Sequence, residues 1–372
     1  MLLSGDERDE LAAAVRGACE RLAPEERVRE VAYEVEPAVR GFDAKLWAVL
    51  CQQVGVTAIT LPEELGGGGY GANALGVVAH ELGRTLAPVP FLASAVLATD
   101  VLVTAGAPDD RLQPLIEGER TAAAVLTESG GLWGPAAVSI TARDASGSWL
   151  VDGTARHILH GPAADDLVVI ARADGELGLF LVDSADPGVT TAVEDVLDGT
   201  RPMAAVTFDG ARAQRLQPSG PVEVLVERCV NRALAVMAAE QVGAMERVLE
   251  IATEYARTRE QFGRPIGSFQ AIKHRCADML VALEMARSSS MAALESLDGG
   301  DGEEAWRASM AKAVCSEALR DATHANVQIH GGIGFTWEGS AGLYVRRART
   351  DEVLFGLPGA HWDRLREDAK LF

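Results

Sequence analysis

The 372-residue sequence predicts an α+β fold, mainly α, with segregated parts rather than an alternating βαβ sheet. Three observations carry that reading. Apolar residues recur at helical spacing through the first third, as in Leu11, Val15 and Ala18, and again in Leu46, Val49, Leu50 and Val54. Between about 119 and 215 the chain breaks into short apolar or β-branched segments divided by Asp, Gly and Ser turns. After Pro218-Ser-Gly-Pro221 long helical patterns return. The divisions are 1–118, an N-terminal α-helical domain; 119–215, a middle β domain; and 216–372, a C-terminal helical bundle.

The helices of the first part are interrupted by Leu61-Pro-Glu-Glu-Leu-Gly-Gly-Gly-Gly-Tyr-Gly71. So many glycines in a row require a loop. It is either a plain connector or a phosphate cradle. No GK[ST] and no evident preceding strand accompany it, which favours the connector. In the middle part, Thr121–Leu126, Val138–Ala142, Trp149–Val151, Leu167–Ala171, Leu177–Val182 and Ala204–Phe208 read as strands. Several short strands at this spacing indicate a small barrel or sandwich.

The last part opens with a helix over about 222–258. The next helix carries Phe269, Ile272, Cys276, Met279, Leu280 and Leu283 on one stripe, expected to face the core. Gly299-Gly300-Asp301-Gly302 is a loop. A third helix over about 303–329 stops at Gly331-Gly332, where glycine suits a C-cap, and a fourth covers about 341–350.

Composition narrows the function. A net charge of −20 argues against a general nucleic-acid binder or a binder of anionic membranes. No apolar run approaches the roughly 18 residues that span a bilayer, and the N-terminus lacks a basic segment followed by an apolar core. The expected location is therefore cytoplasmic. Cys19, Cys51, Cys229, Cys276 and Cys315 are scattered without CxxC pairing and read as helix-packing residues; no cluster argues for a metal.

Three strings, in order, resemble the acyl-CoA dehydrogenase family of flavoenzymes. They are Leu61-Pro-Glu-Glu-Leu-Gly-Gly, Arg257-Thr-Arg-Glu-Gln-Phe-Gly-Arg-Pro-Ile-Gly-Ser-Phe-Gln270 and Gln328-Ile-His-Gly-Gly-Ile-Gly-Phe335. The likeness covers essentially the whole chain, and the second and third strings carry most of its specificity. It implies an acyl-CoA dehydrogenase-like fold: a helical domain, a β-barrel-like domain and a C-terminal four-helix bundle. It also implies FAD as cofactor, an acyl-CoA as substrate and desaturation of the thioester to its 2,3-enoyl form. In that chemistry a carboxylate removes the α-proton while the β-hydrogen leaves as hydride to flavin N5. Hydrogen bonds to the thioester carbonyl stabilise the developing enolate, and a desolvated base then acts near neutral pH. The expected electron acceptor is one such as an electron-transfer flavoprotein.

Family FAD sites are shared between subunits. The resemblance assigns cofactor-binding roles to Arg259 and Phe262, reaching a neighbour's FAD, and to Gln328 and Gly332 along its adenine half. A guanidinium suits a bidentate phosphate contact, and glycine lets backbone N–H groups approach an anion. Read alone, Arg259 is a solvated helix end and Gly331-Gly332 a cap.

The catalytic glutamate is missing from both of its usual places. The position after the Gly-Gly string falls on Phe355, and the alternative on the long preceding helix falls on Ala233. The catalytic residue is therefore unassigned. Glu240, seven residues past Ala233, is either a displaced base or a paired structural charge. Asp351, Glu352 and Glu338 read as solvated surface. In the middle part, Thr127-Glu-Ser-Gly-Gly-Leu-Trp-Gly134 stands where the family has Thr-Glu-Pro and Gly-Ser-Asp motifs. His157-Ile-Leu-His160 stands where it has Trp-Ile-Thr/Ser against the flavin ring. His157 and His160 are either replacements for those ring contacts or ordinary polar residues. Elements that reach a neighbour's cofactor are kept, and those that hold a chain's own ring are altered. That pattern implies a subunit working with a paralogous partner in a heterotetramer. The alternatives are a self-sufficient homotetramer with a displaced base, a flavin-free scaffold, or an oxidase or monooxygenase on the same fold.

Overall fold

The computed structural model describes residues 2–36, 39–128, 131–337 and 339–368. Helices α1 (Gly5–Leu22), α2 (Glu25–Arg29), α3 (Ala44–Val49), α4 (Ala72–Thr85), α5 (Thr99–Thr104) and α6 (Asp109–Ile116) come first. Their starts follow capping chemistry. Ser4 and Glu7 form a reciprocal capping box on α1, and Asp43 accepts from Lys45 and Leu46 at the start of α3. The glycine-rich stretch after Leu61 is a loop ending at Gly71, as its composition requires.

Strands β1 (Ala122–Val125), β2 (Thr141–Asp144), β3 (Trp149–Leu159), β4 (Asp166–Ala173), β5 (Glu176–Asp183), β6 (Val189–Val193) and β7 (Met203–Leu216) follow. β4 pairs with β1, β2 and β5; β5 pairs onward with β7, β7 with β3, and β3 with β2, so the sheet closes on itself as a barrel. β4 is buried on both faces. Leu167 and Val169 point into the barrel core with Phe180 and Val206, whereas Val168 and Ile170 join the main core shared with the helices. A strand buried on both sides has no polar face, which is why Leu167–Ala171 is a continuous apolar run. β6 escapes sequence reading because most of its side chains are exposed.

Helix α7 (Val222–Thr258) is 37 residues long, about 55 Å. It crosses α4 with the backbones nearly touching. A Cβ on Gly83 would sit 2.1 Å from Glu240 O, and one on Gly243 would sit 2.0 Å from His80 O. A short hairpin, β8 (Glu260–Gln261) with β9 (Arg264–Pro265), leads into α8 (Gln270–Gly299). Then come α9 (Glu304–His330), α10 (Ala341–Val353) and α11 (Pro358–Asp368). The expected core stripe of α8 needs correction. Met279 and Leu283 are buried, Phe269, Ile272 and Cys276 are half-buried, and Leu280 faces outward. Leu280 lies about 100° from the centre of the inward face, so helical spacing alone misplaced it. Cys19, Cys51, Cys229 and Cys315 are buried, and all five thiols are free.

A buried ionic cluster joins barrel and bundle. Arg347 on α10 donates to Asp198 Oδ2 at 2.7 Å, to Thr200 Oγ1 at 2.5 Å and to Glu240 on α7. Arg201, in the loop between β6 and β7, donates to Glu240 Oε2 at 2.6 Å. Its Nε lies 2.9 Å from Asp351 Oδ1, yet the N–H points away, and neither Asp351 oxygen accepts a hydrogen bond. Two guanidiniums thus face three carboxylates. Burial pushes Asp351 up to about 6, while Arg347 and Thr200 hold Asp198 below its ordinary range despite burial. Asp351 and Glu352, expected on solvated surface, are both buried here; Glu338 lies outside the described residues. Their correction has a plain cause: α10 is enclosed by α9, α7 and the barrel loop, so even its charged residues turn inward.

The cluster yields opposed predictions. Asp351 holds its proton more tightly folded than unfolded. Its stabilising contribution is therefore present below about pH 4 and lost as pH rises through 6, on the order of 2–3 kcal/mol. Asp351→Asn leaves two charges of each sign, so its melting temperature at pH 7 is expected to match or exceed that of the parent chain. Asp198→Asn removes the negative charge to which Arg347 is bonded and is expected to lower it. Thermal denaturation followed by circular dichroism at pH 4, 5, 6 and 7 checks both.

Candidate functional site

Where the barrel meets α10 there is a small cavity of about 30 Å³. That volume holds about one water molecule. Thr127, Trp133, His157, Leu159, Leu354 and Phe355 line it. Thr127 is 5% exposed, and its hydroxyl has no hydrogen-bond partner among the described residues. Among the described residues, His157 is the only ionisable lining group.

The end of β3 presents this wall through an irregularity. Its register with β7 shifts between Ala155 and Ile158, and His157 and His160 both adopt left-handed backbones, with φ of 57° and 53°. Such conformations disfavour side chains other than glycine's. Glu194 holds the strain in place: it accepts from Arg156 Nε at 2.9 Å, from the His157 N–H at 2.9 Å, and lies 2.7 Å from His157 Nδ1. His157 is half-exposed at the mouth, while His160 is buried beside Arg201 and Arg347. Burial and those two cations push His160 down to about 3, so it is neutral at pH 7. The two histidines have different settings, one beside the Glu194 carboxylate at the cavity mouth and the other a neutral core residue.

Phe355 occupies the far wall, 7% exposed. It follows the end of α10 in a left-handed turn, φ 59°, with Gly356 at φ 106°. The turn is fixed from three sides. Lys312, wholly buried on α9, donates to Asp351 O at 2.9 Å and Glu352 O at 3.2 Å, satisfying carbonyls that the helix end leaves open. Gly356 N–H bonds Val353 O. His361 Nε2 lies 3.0 Å from Phe355 O; a carbonyl only accepts, so Nε2 carries the proton. Burial lowers Lys312 to about 8 and His361 to about 4. Ala233, which the resemblance set at the alternative glutamate position, is fully buried on α7. Glu240 is a paired charge held by Arg201 and Arg347, with no place on the cavity wall.

The other sequence-predicted residues lie on open surface. Arg259 closes α7, its N–H bonded to Tyr255 O, and its side chain is exposed. Phe262 sits at the hairpin tip with φ 55° and 92% exposure, edge-on to Phe269 at 6.1 Å. Gln328 and Gly332 are exposed at the end of α9. Tyr255 stacks on His330 at 4.2 Å, which brings the α7 terminus, and so the hairpin, beside the end of α9. Sequence reasoning did not find the support given by Glu194, Lys312 and His361. Lys312 carried a signal, a lone cation in the apolar run Met310-Ala-Lys-Ala-Val314. No such signal marked Glu194, which lies 37 residues from its partner.

Comparison with known proteins places these observations in a context. The acyl-CoA dehydrogenase N-terminal domain description matches residues 5–119, and the acyl-CoA dehydrogenase C-terminal domain description matches residues 224–369. The chain is 34% identical to acyl-CoA dehydrogenase IpdE2 of Mycolicibacterium smegmatis over 99% of each chain. It is 35% identical to IpdE2 of Mycobacterium tuberculosis over 86% of this chain and 85% of that one. Among solved structures, the Tcur3481-Tcur3483 steroid ACAD variant superposes with a TM-score of 0.88 at 29% identity, covering 98% of both chains. The ChsE4-ChsE5 complex from Mycobacterium tuberculosis also gives 0.88, at 27% identity, covering 100% of this chain and 99% of that one.

Phe355→Ala is expected to cost about 3–5 kcal/mol in unfolding free energy and to leave a cavity able to bind a small aromatic such as indole. Denaturant titration and ligand-induced stabilisation read the two effects. A cost below about 1 kcal/mol would mean that Phe355 does not fill the wall.

Proposed function

The chain belongs to the acyl-CoA dehydrogenase family, and from that premise we propose that it is a subunit of an FAD-dependent enzyme desaturating an acyl-CoA thioester. In this reading it completes flavin sites with a paralogous partner and does not house a working site alone. One observation carries the proposal: the cavity that would take the ring and the acyl end measures about 30 Å³. Ligand pockets run from about 300 to 1,000 Å³. Phe355, in the position of the usual base, fills much of that space and has no proton to exchange.

The fit to FAD differs between the two ends of the site. The chain's own ring wall does not fit an isoalloxazine, so no step is routed through it. The outward residues fit a cofactor held by a neighbour: Arg259 offers an exposed fork for a pyrophosphate, Phe262 an exposed ring, and Gln328 and Gly332 an accessible helix end. When bound, the flavin supplies the hydride-accepting ring. The contribution of this chain is to bind and orient its phosphate and adenine portions. The partner supplies the α-proton acceptor.

Several finer points belong to the same reading. Two similar structures are named as two-chain assemblies, which supports a heterotetramer. Similarity to a steroid enzyme makes steroid-derived acyl-CoA thioesters the first substrates to try. The acceptor is proposed to be an electron-transfer flavoprotein. No helix among the described residues is long and apolar enough to cross a membrane, and the proposed location is the cytoplasm. A displaced base at Glu240 finds no support, because its carboxylate is committed to two guanidiniums.

The chain purified alone is expected to carry well under one flavin per chain, read from visible absorbance. Co-expressed with a glutamate-bearing paralogue, it should yield a yellow, active complex. Arg259→Ala in that complex is expected to weaken flavin retention at least about tenfold. One flavin per chain in isolation, with turnover lost on Glu240→Gln, would instead establish the self-sufficient enzyme.

A further inference from the structure

A second cavity lies away from the barrel, where α1, α4, α7 and α8 meet. Its position follows from how α4 is pinned. At the N-terminus of α4, Asp298 on α8 accepts from the N–H groups of Ala72 and Asn73. Toward the other end, Gly83 and Gly243 bring α4 against α7. Between the two pins a gap of about 240 Å³ remains. Small residues shape its floor: a Cβ on Gly76 would sit 2.5 Å from Leu294 Cδ1, and Ala239 and Val242 close the base. Ala12, Val77 and Met291 form the walls. The volume falls just under the roughly 300 Å³ at which ligand pockets begin, so an occupant is small. Half of the lining residues are apolar, so part of the occupant is apolar too.

The polar groups around this gap set the charge of what it takes. Ser290 is 3% exposed, lines the gap, and its hydroxyl has no hydrogen-bond partner among the described residues. A buried hydroxyl left unpaired costs free energy that a ligand's hydrogen bond restores. Arg8, on α1, lines the mouth, and its side chain has no ion-pair or hydrogen-bond partner among the described residues. Arg287, on α8, donates to Glu284 at 2.6 Å. Its other arm stays 3.8 Å from Glu246, beyond hydrogen-bond reach, so donors are spare. His80 has Nδ1 3.3 Å from Glu81 Oε1 and Nε2 2.8 Å from Glu246 Oε2. Carboxylates only accept, so both nitrogens carry protons and the ring is a cation. Burial opposes that charge, but the two carboxylates outweigh burial and raise His80 above its ordinary value. Three lining cations, Arg8, His80 and Arg287, thus face two lining carboxylates, Asp9 and Glu81. Behind the wall, Glu246 and Glu284 are balanced by Arg16 and Arg84. The gap has one positive charge to spare. The chain's more distant acidic surface is screened beyond about 8 Å at physiological salt.

A single negative charge, hydrogen-bond acceptors and a short apolar body describe a carboxylic acid in its ionised form. We propose that the gap between α1, α4, α7 and α8 binds a small amphipathic monocarboxylate, with its carboxylate between Arg8 and Arg287 above Ser290 and its apolar body along Val77, Met291 and Leu294. A dianion such as a phosphate monoester exceeds the spare charge, and a neutral alcohol leaves both guanidiniums unused. The site shares no residue with the barrel cavity or the hairpin, so it is independent of the flavin reading. It does touch α7 at Ala239, the residue before Glu240, so an occupant sits one residue from the ionic cluster.

The test is a titration of hexanoate into the full-length chain, isotopically labelled at its methionine methyl groups and followed by NMR without flavin or partner. The Met291 signal, assigned by its loss in Met291→Leu, is expected to shift saturably while Met203 on β7 stays in place. The dissociation constant expected for so small a ligand is on the order of 1 mM. Hexanol, of the same length and uncharged, is expected to bind at least about tenfold more weakly, and Arg287→Gln to weaken hexanoate at least about fivefold. Val77→Trp fills the gap and is expected to abolish the shift with an unchanged melting temperature; Ala12→Leu does the same from another helix should Val77→Trp fail to fold. No Met291 shift up to tens of millimolar, equal affinity for hexanol, or indifference to Arg287→Gln would each overturn the proposal. So would a Met291 response that survives the filling variants. None of these readouts involves flavin, so failure here is distinguishable from failure of the proposed function.

Discussion

The cluster centred on Arg347 is the constraint on which the rest of the arrangement depends. It draws ligands from α7, from α10 and from the loop between β6 and β7, and it is shut away from water. A guanidinium in that setting is tolerable only with its carboxylates in place; removing one partner leaves an uncompensated buried charge. The barrel is therefore docked on the bundle in one register. The end of α10 is fixed by the same docking, and with it the turn carrying Phe355. A substitution far from the cavity, in the barrel loop, would be felt at the cavity wall through this chain of contacts.

The architecture was largely legible in the sequence because each part announces itself by period. Alternating and continuous apolar runs marked the barrel strands, and four-residue recurrence marked the helices. β6 was lost because its exposed side chains carry no apolar pattern. Leu280 was misassigned because a helix with two apolar stripes gives a blurred signal, in which period alone does not say which stripe faces the core. Asp351 and Glu352 were misplaced for a related reason. Charge suggests solvent until partners from distant segments are known, and their partners lie on α9 and in the β6–β7 loop.

The candidate site was legible in what it lacks more than in what supports it. Phe355 and Ala233 could be set against the pattern of the resembling family from sequence alone, since neither side chain has an ionisable group. The reasons that Phe355 stays where it is could not be read this way. Lys312 acts through two backbone carbonyls 39 and 40 residues away, and His361 through another. Backbone acceptors have no sequence signature. The left-handed geometry of His157 likewise depends on Glu194, which reaches it across the barrel wall.

The turn at Phe355 has a consequence for descent. Its backbone, φ 59° followed by Gly356 at φ 106°, is held by hydrogen bonds that run through main-chain carbonyls. A lineage that exchanged an acidic side chain for phenylalanine here would have kept the scaffold that once aimed it. The loss would be reversible in backbone but not in volume, since Trp133 and Leu354 now share the filled space. Return would need two or more coordinated replacements, so specialisation of this kind acts as a ratchet.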